Sequence, residues 1–373
     1  MQSLDNNTRA FLVLVRSGLW EQEVLLSDYN SIDYTEVYRL AEEQTVIGLV
    51  AAGLDHVTDV KVPKADSLLF VGQTLQLEQH NKAMNQFIEM LIQKMRAHDI
   101  SVVLVKGQGI AQCYERPLWR ACGDVDLLLC DSEYDRAKEF LQPFASTLET
   151  ESVKGKHLGM TIGSWVVELH GHLYCGFSKV TDTVINGVEK DVFDGGDVRS
   201  WMNGKTQVFL PGVDNDVIFI FTHFLKHFYK GGLGLRQICD WCRLLWTHRT
   251  EIDPDLLVMR LRKMRLMSEW KAFGAFAVEY LGMPLEALPL YDGGSRWKRK
   301  AKRILSFILM SGNFGHSRDN TFRRKPFLIR KTYSMCRRIG DVFNHARIFP
   351  LDAIRFLPSL LMNGVKSAAQ RIG

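Results

Sequence analysis

The first hundred residues carry apolar side chains at three- and four-residue steps, which is the pattern of amphipathic helices. The clearest such segments are Tyr34–Ala52 and Ser67–His98, both rich in Leu, Glu, Gln and Lys. The pattern changes after Asp99, where the β-branched run SVVLV (101–105) predicts a short buried strand. We therefore predict a helical region that ends near residue 99.

The segment from 101 to 172 alternates between strand and helix patterns. Its predicted elements are a strand at 101–105, a turn and short helix over 107–115 ended by Pro117, a strand at VDLLL (125–129), a helix at 132–142, and strands at 157–162 and 165–170. This order predicts a small α/β unit whose sheet mixes parallel and antiparallel pairs. The predicted fold class is α+β, with this core flanked by helical regions.

A Gly- and Asp-rich stretch (186–204) leads to the run QVFLPG, and from Val213 onward the periodicity is helical almost to the end. Breaks are expected at Pro254, Pro284, Pro289 and Gly312–Gly315. The predicted organisation has four parts. They are a helical region (1–99), the α/β core (100–212), a helical region packing on the core (213–295) and a basic helical region (296–373).

The composition is that of a globular chain: of 373 residues, 46% are hydrophobic and 24% charged. It excludes a mainly disordered or fibrous protein. No run approaches the roughly 20 apolar residues of a transmembrane helix, and the apolar run FLVLV near the start is too short for a signal peptide. Seven scattered Cys indicate reduced thiols. We therefore expect a cytoplasmic protein.

Charge is distributed unevenly along the chain. From Arg296 onward there are 18 Lys+Arg against 3 Asp+Glu, whereas the first 295 residues hold 29 basic and 39 acidic side chains. The basic runs RWKRKAKR (296–303) and FRRKPFLIRK (322–331) are typical of a solvated helical face. They are also compatible with RNA binding or with an anionic membrane surface, and 341–361 mixes Arg with bulky apolar residues.

The candidate chemistry begins with Asp124-Val-Asp126, which precedes Leu-Leu-Leu. Alternate side chains of a strand share a face, so the two carboxylates are expected about 7 Å apart at their Cα atoms. Such a pair alone is often a solvated acidic edge. Here, however, Glu168 lies in the apolar strand WVVELH, where a lone carboxylate needs a partner. Three carboxylates on neighbouring strands favour Mg²⁺ or Mn²⁺.

A second feature lies at the end of the first predicted strand. SVVLV runs directly into Lys106-Gly107 and then into a helix start. Glycine at this point allows backbone N–H groups and the helix N-terminus to approach a phosphate. The combination of a phosphate-binding turn with three carboxylates is more specific than any one part.

These motifs resemble those of the polymerase-β-like nucleotidyltransferases. "LVKG…Y…R…GDVDLLL", "VELH" and "HFLKHF…GLGLRQICDW" are similar to a bacterial family described only as uncharacterised nucleotidyltransferases, and the likeness covers residues 100–245 best. The resemblance implies transfer of a nucleoside monophosphate from a nucleoside triphosphate, with release of pyrophosphate. It also implies that Asp124, Asp126 and Glu168 bind the metal and catalyse. The implied nucleotide-binding residues are Lys106, Gly107, Gln108, Arg120 and Gly123.

Two departures from the superfamily pattern keep an alternative open. Gly107 is followed by Gln108 rather than by Ser or Gly, and Asp124 lies 17 positions after Gly107, a rather long gap. The alternative is a catalytically weak relative that binds a nucleotide or partner without turnover. A third possibility is an RNA-binding protein that uses the basic C-terminal region. For the enzyme, the acceptor is an unidentified hydroxyl or phosphate group on a small molecule, a protein or RNA.

Several further side chains are expected near the site. His170 shares a strand face with Glu168, where it either orients that carboxylate or contacts the acceptor, or serves as a hydrogen-bonded structural histidine. The other predicted substrate-contacting or supporting residues are His223, His227, Arg236 and Asp240. His223 and His227 with Cys239 and Cys242 superficially suggest zinc, but both cysteines fall at helical core spacing, so no zinc is expected there.

Overall fold

The N-terminal part of the chain is helical, as predicted. The computed structural model of the protein describes residues 4–152, 155–230, 232–313 and 340–351. The first helices are α1 (Asn6–Trp20), α2 (Tyr34–Glu43), α3 (Ile47–Asp55) and α4 (Lys64–Arg96). The segment predicted as one helix over 34–52 is two, because the backbone turns at Thr45, whose φ of 55° is left-handed.

The predicted α/β unit forms around a five-stranded sheet. Its strands are β1 (Val103–Val105), β2 (Asp124–Leu128), β3 (Ala145–Leu148), β4 (His157–Ile162) and β5 (Trp165–His170), in the order β1-β2-β5-β4-β3. The β2–β5 pair is parallel, and the other three pairs are antiparallel. Two short helices lie between strands, α5 (Gly107–Ala111) and α6 (Asp131–Leu141). The mixed sheet and the α+β class are therefore confirmed.

Three elements of the middle of the chain had no clear sequence signal. They are β3, which is largely exposed, and α7 (Lys179–Phe193) and β6 (Val198–Asn203), which occupy much of the Gly- and Asp-rich stretch. The hydroxyl of Ser178 caps α7 by accepting the N–H of Thr181. β6 pairs with β7 (Thr206–Pro211) in a separate two-stranded sheet.

The chain is helical again from Val213, as predicted. The helices are α8 (Val213–Lys230), α9 (Leu235–Thr247), α10 (Pro254–Met264), α11 (Met267–Leu281) and α12 (Ser295–Ser311). Pro254 begins α10 rather than interrupting it, and Pro284 and Pro289 lie between α11 and α12. Within the described ranges, no helix has the length and apolar character to cross a membrane. The second basic run, 322–331, and residues 352–361 lie outside the described residues.

Two apolar cores organise these elements. The larger core joins α1–α3 to α7–α12, so that the N-terminal helices pack against the C-terminal ones. The smaller core lies between one face of the five-stranded sheet and α4 and α6, with Met84, Phe87 and Leu91 of α4 among its members. The opposite face of the sheet carries the polar residues.

Candidate functional site

Alternation along β2 separates an apolar face from an acidic face. Val125 and Leu127 point into the smaller core, where they are fully buried. Asp124 and Asp126 therefore lie on the opposite face of the sheet. The two carboxylates are adjacent on one face, as the Asp-x-Asp spacing predicts.

The register of the neighbouring strands adds three residues to this face. In the parallel β2–β5 pair, Asp126 is the cross-strand partner of Glu168. His170 follows Glu168 at the alternate position, and in the antiparallel β4–β5 pair it lies opposite His157. Because cross-strand partners point to the same side, two acids and two histidines form one patch with Asp124 at its edge.

The side chains converge closely. Carboxylate oxygens of Asp124, Asp126 and Glu168 all lie within 4.8 Å of one another. His170 Nε2 lies 2.8 Å from Asp126 Oδ1 and 3.4 Å from Glu168 Oε2, and His157 Nε2 lies 3.2 Å from the same Glu168 oxygen. The structure thus brings together the three carboxylates that the sequence predicts, and adds His157 to them.

Lys106 provides the cationic partner at the end of β1. Its ammonium Nζ lies 2.7 Å from Asp126 Oδ1, and the side chain is mostly buried. Its backbone has φ 59° and ψ −147°, a region that is nearly restricted to glycine and costs about 1–3 kcal/mol for other residues. Gly107 follows with φ 44°. This strained turn directs the ammonium onto the carboxylates.

Mutual repulsion and hydrogen bonding shift the pKa values of these groups in opposite directions. The neighbouring charge of Asp126, together with burial, raises the pKa of Asp124. Hydrogen bonds from His157 and His170 hold the pKa of Glu168 far below its usual range. Burial disfavours the charged form of His170, but its hydrogen bonds to Asp126 and Glu168 outweigh this and raise its pKa.

Lys106 stays charged in the cluster. Burial acts to lower the pKa of Lys106, but the adjacent Asp126 carboxylate outweighs burial and raises it. The repulsion on Asp124 nevertheless persists in the presence of this ammonium. The residues therefore form an all-oxygen donor set with unbalanced negative charge at Asp124, which suits a hard divalent cation.

Gln108 and Gly123 occupy different environments. Gln108 is buried and its amide Nε2 donates to Asn81 Oδ1 on α4 (2.8 Å), so the side chain points into the interior. A contact between Gln108 and a nucleotide would have to use its backbone. Gly123 is exposed just before Asp124, with no atom within 4 Å of where a Cβ would be. It leaves room for a ligand beside the carboxylates.

Arg120 and Asp240 form a buried ion pair with each other. Arg120 Nε donates to Asp240 Oδ1 (3.0 Å) and its Nη2 donates to Oδ2 (2.7 Å), while Tyr114 donates its hydroxyl to the same carboxylate (2.8 Å). Burial opposes the charge, but Asp240 raises the pKa of Arg120. Asp240 thus fastens α9 to the segment before β2, and it engages two of the three guanidinium nitrogens of Arg120.

Arg236 lies on the other side of this pair, at the start of α9. Its Nη1 donates to the carbonyl of Ala121 at 2.6 Å. Its Nε is buried and has no hydrogen-bond partner in the part of the chain that the structure describes. Burial, followed by the charge of Arg120, lowers the pKa of Arg236, and Asp124 is among the groups that act on it. Arg236 therefore adds a positive charge on the Asp124 side of the site.

The two histidines of α8 contact each other through their Nε2 atoms. His223 Nε2 and His227 Nε2 are 3.1 Å apart, a hydrogen bond in which one ring donates and the other accepts. Burial, followed by the charge of Lys106, lowers the pKa of His227 to about 3 and places the pKa of His223 well below its usual value. Both rings are neutral beside the cationic end of the site.

The histidines and cysteines that superficially suggest zinc lie in different surroundings. Cys239 and Cys242 are fully buried in the larger core, and burial raises the pKa of both thiols. Among the described residues, two groups of three or more side chains are close enough to share a metal ion. They are Asp124, Asp126 and Glu168, and His157, Glu168 and His170.

The described parts of the basic C-terminal region are α12, residues 312–313 and residues 340–351. Arg296, Arg299, Lys302 and Arg303 are exposed along α12, and Lys298 pairs with Glu279 of α11 at 2.7 Å. This arrangement is a solvated helical face. The RNA and membrane interpretations of this region stay predictions.

His157 is absent from the predicted site, although its strand is predicted at the observed bounds. The sequence signal was a histidine at the start of a strand, which is uninformative until the strand is paired. Lys226 of α8 is a second such residue: burial lowers its pKa, and Lys106 and Glu168 are among the charges that act on it. Both residues reach the site only through the tertiary arrangement.

Comparison with known proteins identifies one relationship. A family model described as "Uncharacterised nucleotidyltransferase" matches residues 30–282, which is more than half of the chain. The matched span contains the five-stranded sheet and the helices α2–α11, and it ends before α12. No curated protein and no solved structure matched the chain.

The Arg120–Asp240 pair yields a stability prediction. Asp240→Ala should lower the free energy of unfolding by about 3–5 kcal/mol, because it leaves the Arg120 guanidinium buried without its carboxylate. The double variant Arg120→Met/Asp240→Leu should recover much of that loss, because an apolar pair can replace a buried ion pair. Denaturant unfolding measures both, with the exposed Asp135→Ala as control. An Asp240→Ala variant of unchanged stability would contradict the structural assignment.

The His223–His227 pair yields a pH prediction. The folded pKa values lie below the unfolded value of about 6.5, so the unfolded chain takes up protons first as the pH falls. Between about pH 7 and pH 5.5 the pair should lower the free energy of unfolding by about 2–3 kcal/mol. His227→Asn should reduce this loss by about 1 kcal/mol. Denaturant titrations at both pH values measure these changes, and the exposed His98→Asn should behave as wild type. A His227→Asn variant that loses as much stability as wild type between the two pH values would contradict the lowered pKa of His227.

Proposed function

Since the chain belongs to the uncharacterised nucleotidyltransferase family, we propose that it transfers a nucleoside monophosphate from a nucleoside triphosphate to a hydroxyl or phosphate acceptor, using a divalent metal ion. The observation that carries this proposal is the convergence of Asp124, Asp126 and Glu168 within 4.8 Å on one face of the sheet. Lys106 lies beside them at the end of a strained turn.

The residues of this face fit Mg²⁺ or Mn²⁺. All three side chains offer carboxylate oxygens, which are the ligands that these hard cations prefer. The raised pKa of Asp124 marks a negative charge that the surrounding side chains leave unbalanced. When bound, the metal supplies charge neutralisation of the triphosphate and polarisation of the acceptor hydroxyl.

Lys106 and its turn bind the triphosphate in this proposal. The first N–H groups of α5 follow Lys106, and the first turn of a helix leaves such groups without intrahelical partners. The Lys106 ammonium, which contacts Asp126 here, is within reach of a phosphate placed over the carboxylates. Arg236 adds a second positive charge near Asp124. Together they offset the negative charge of the polyphosphate and of the leaving pyrophosphate.

In this proposal Glu168 acts as a fixed negative charge and not as a general base. The hydrogen bonds from His157 and His170 keep its pKa low, so the carboxylate stays ionised at neutral pH and is a weak base. In the proposed reaction the acceptor oxygen bonds to the α-phosphorus and releases its proton, where it carries one, to solvent, while the bond from the α-phosphorus to the pyrophosphate oxygen breaks. The fixed carboxylates orient these groups, and positioning with charge neutralisation supplies most of the rate enhancement.

The prediction for this site is metal-dependent nucleotide binding that requires Asp124. Isothermal titration of ATP, GTP, CTP and UTP should give binding with Mg²⁺ that weakens at least about tenfold in Asp124→Asn, because one oxygen ligand loses its charge. Without Mg²⁺ the same variant should be more heat-stable than wild type, because it relieves the repulsion with Asp126. This gain in thermal stability would show that the weaker nucleotide binding of Asp124→Asn does not result from misfolding.

Asp135→Asn is the matched control, since Asp135 is an exposed carboxylate of α6 in the same unit and has 62% side-chain exposure. It should bind nucleotide as wild type does. Nucleotide binding that is indifferent to both Mg²⁺ and Asp124 would place the nucleotide elsewhere. Absence of binding of all four triphosphates to the folded wild type would overturn the proposal and favour the partner-binding alternative.

A further inference from the structure

Beside the carboxylates, three side chains are arranged as the ligands of a second cation. His157 Nε2 and His170 Nε2 lie 3.2 Å and 3.4 Å from the same atom, Glu168 Oε2, and all three atoms are within 4.8 Å of one another. Ligand atoms at about 2.1 Å from a tetrahedral ion are separated from each other by about 3.4 Å. The two distances to Glu168 Oε2 therefore match the edges of a tetrahedral metal site, and the two imidazole nitrogens are within 4.8 Å of each other.

Rigid elements hold these ligands. His157 and His170 are cross-strand partners in the antiparallel β4–β5 pair, and Glu168 precedes His170 by two residues on the same face. The two imidazole rings lie with their centroids 4.7 Å apart. Binding sites built on strands hold their ligands more accurately than those built on loops.

The donor atoms differ from those of the neighbouring carboxylate site. Two imidazole nitrogens and one carboxylate oxygen suit divalent transition metals, whereas Mg²⁺ prefers oxygen ligands alone. Three protein ligands also leave a position open for water or substrate. His170 must then exchange its hydrogen bond to Asp126 for the metal, and Lys106 remains on that Asp126 oxygen at 2.7 Å.

We propose that His157, Glu168 and His170 bind a divalent transition metal ion, of the Mn²⁺, Co²⁺ and Zn²⁺ class, in preference to Mg²⁺. The site shares Glu168 with the proposed nucleotide site but needs neither nucleotide nor group transfer. It is made of residues other than the His223, His227, Cys239 and Cys242 set. The sheet face would then carry two different cation sites, one with oxygen ligands and one with mixed ligands.

The test is a titration of the full, untagged, nucleotide-free chain with Co²⁺, monitored by its visible absorption. In a large excess of Mg²⁺, which is the cation expected at the carboxylate site, one equivalent of Co²⁺ should still bind at the histidines, and Zn²⁺ should displace it. His157→Ala should weaken Co²⁺ binding at least about tenfold, because it removes one of three ligands. The exposed variants Asp135→Asn and His98→Ala should retain wild-type affinity.

X-ray absorption of the Zn²⁺-loaded wild type provides a readout that needs no substitution. It should show two imidazole ligands, and one in a folded His157→Ala variant. Equal Co²⁺ affinity in wild type and His157→Ala, or displacement of Co²⁺ by equimolar Mg²⁺, would overturn the proposal and leave the histidines as hydrogen-bond partners of Glu168. An X-ray absorption spectrum of the Zn²⁺-loaded wild type that shows no imidazole ligand, or one, would also overturn the proposal. Since no nucleotide is present, these failures would leave the proposed transfer function standing.

Discussion

The structure depends on like charges held together on one sheet face. The parallel β2–β5 pair aligns Asp126 with Glu168, and alternation along β2 adds Asp124 to them. Carboxylates at this separation repel each other, and here the repulsion is visible in the raised pKa of Asp124. Lys106, His157 and His170 hold part of this charge in place, and the proposed metal ion would neutralise the rest.

Part of the stabilisation comes from cationic and hydrogen-bonding neighbours at the site. The backbone of Lys106 is in an unfavourable conformation, which places the ammonium in contact with Asp126. His157 and His170 keep Glu168 ionised. Strain and like-charge repulsion at one place are typical of functional sites, where stability is given up for binding. The buried Arg120–Asp240 pair serves another purpose, because it holds α9 against the segment that leads into β2.

Much of the fold and the carboxylate cluster could be predicted from the sequence. Short β-branched and apolar runs marked β1, β2, β4 and β5, and the spacing of Asp124 and Asp126 placed both on one face. The pairing of the strands could not be predicted in the same way, because the register between two strands depends on contacts between distant parts of the chain. His157 therefore entered the site only with the β4–β5 register. Arginine is a common phosphate-binding residue, but Arg120 pairs instead with Asp240, which lies 120 positions away in the sequence. No local pattern reveals that contact.

The carboxylate face with Lys106 is the proposed metal–nucleotide site. The most direct measurement is a crystal structure of the chain with Mn²⁺ and a non-hydrolysable nucleoside triphosphate analogue, with anomalous diffraction to locate the metal. We expect anomalous density between Asp124, Asp126 and Glu168, with the Lys106 ammonium moved onto a phosphate. A bound analogue distant from this face, with Lys106 still on Asp126 and no anomalous peak at the carboxylates, would contradict it.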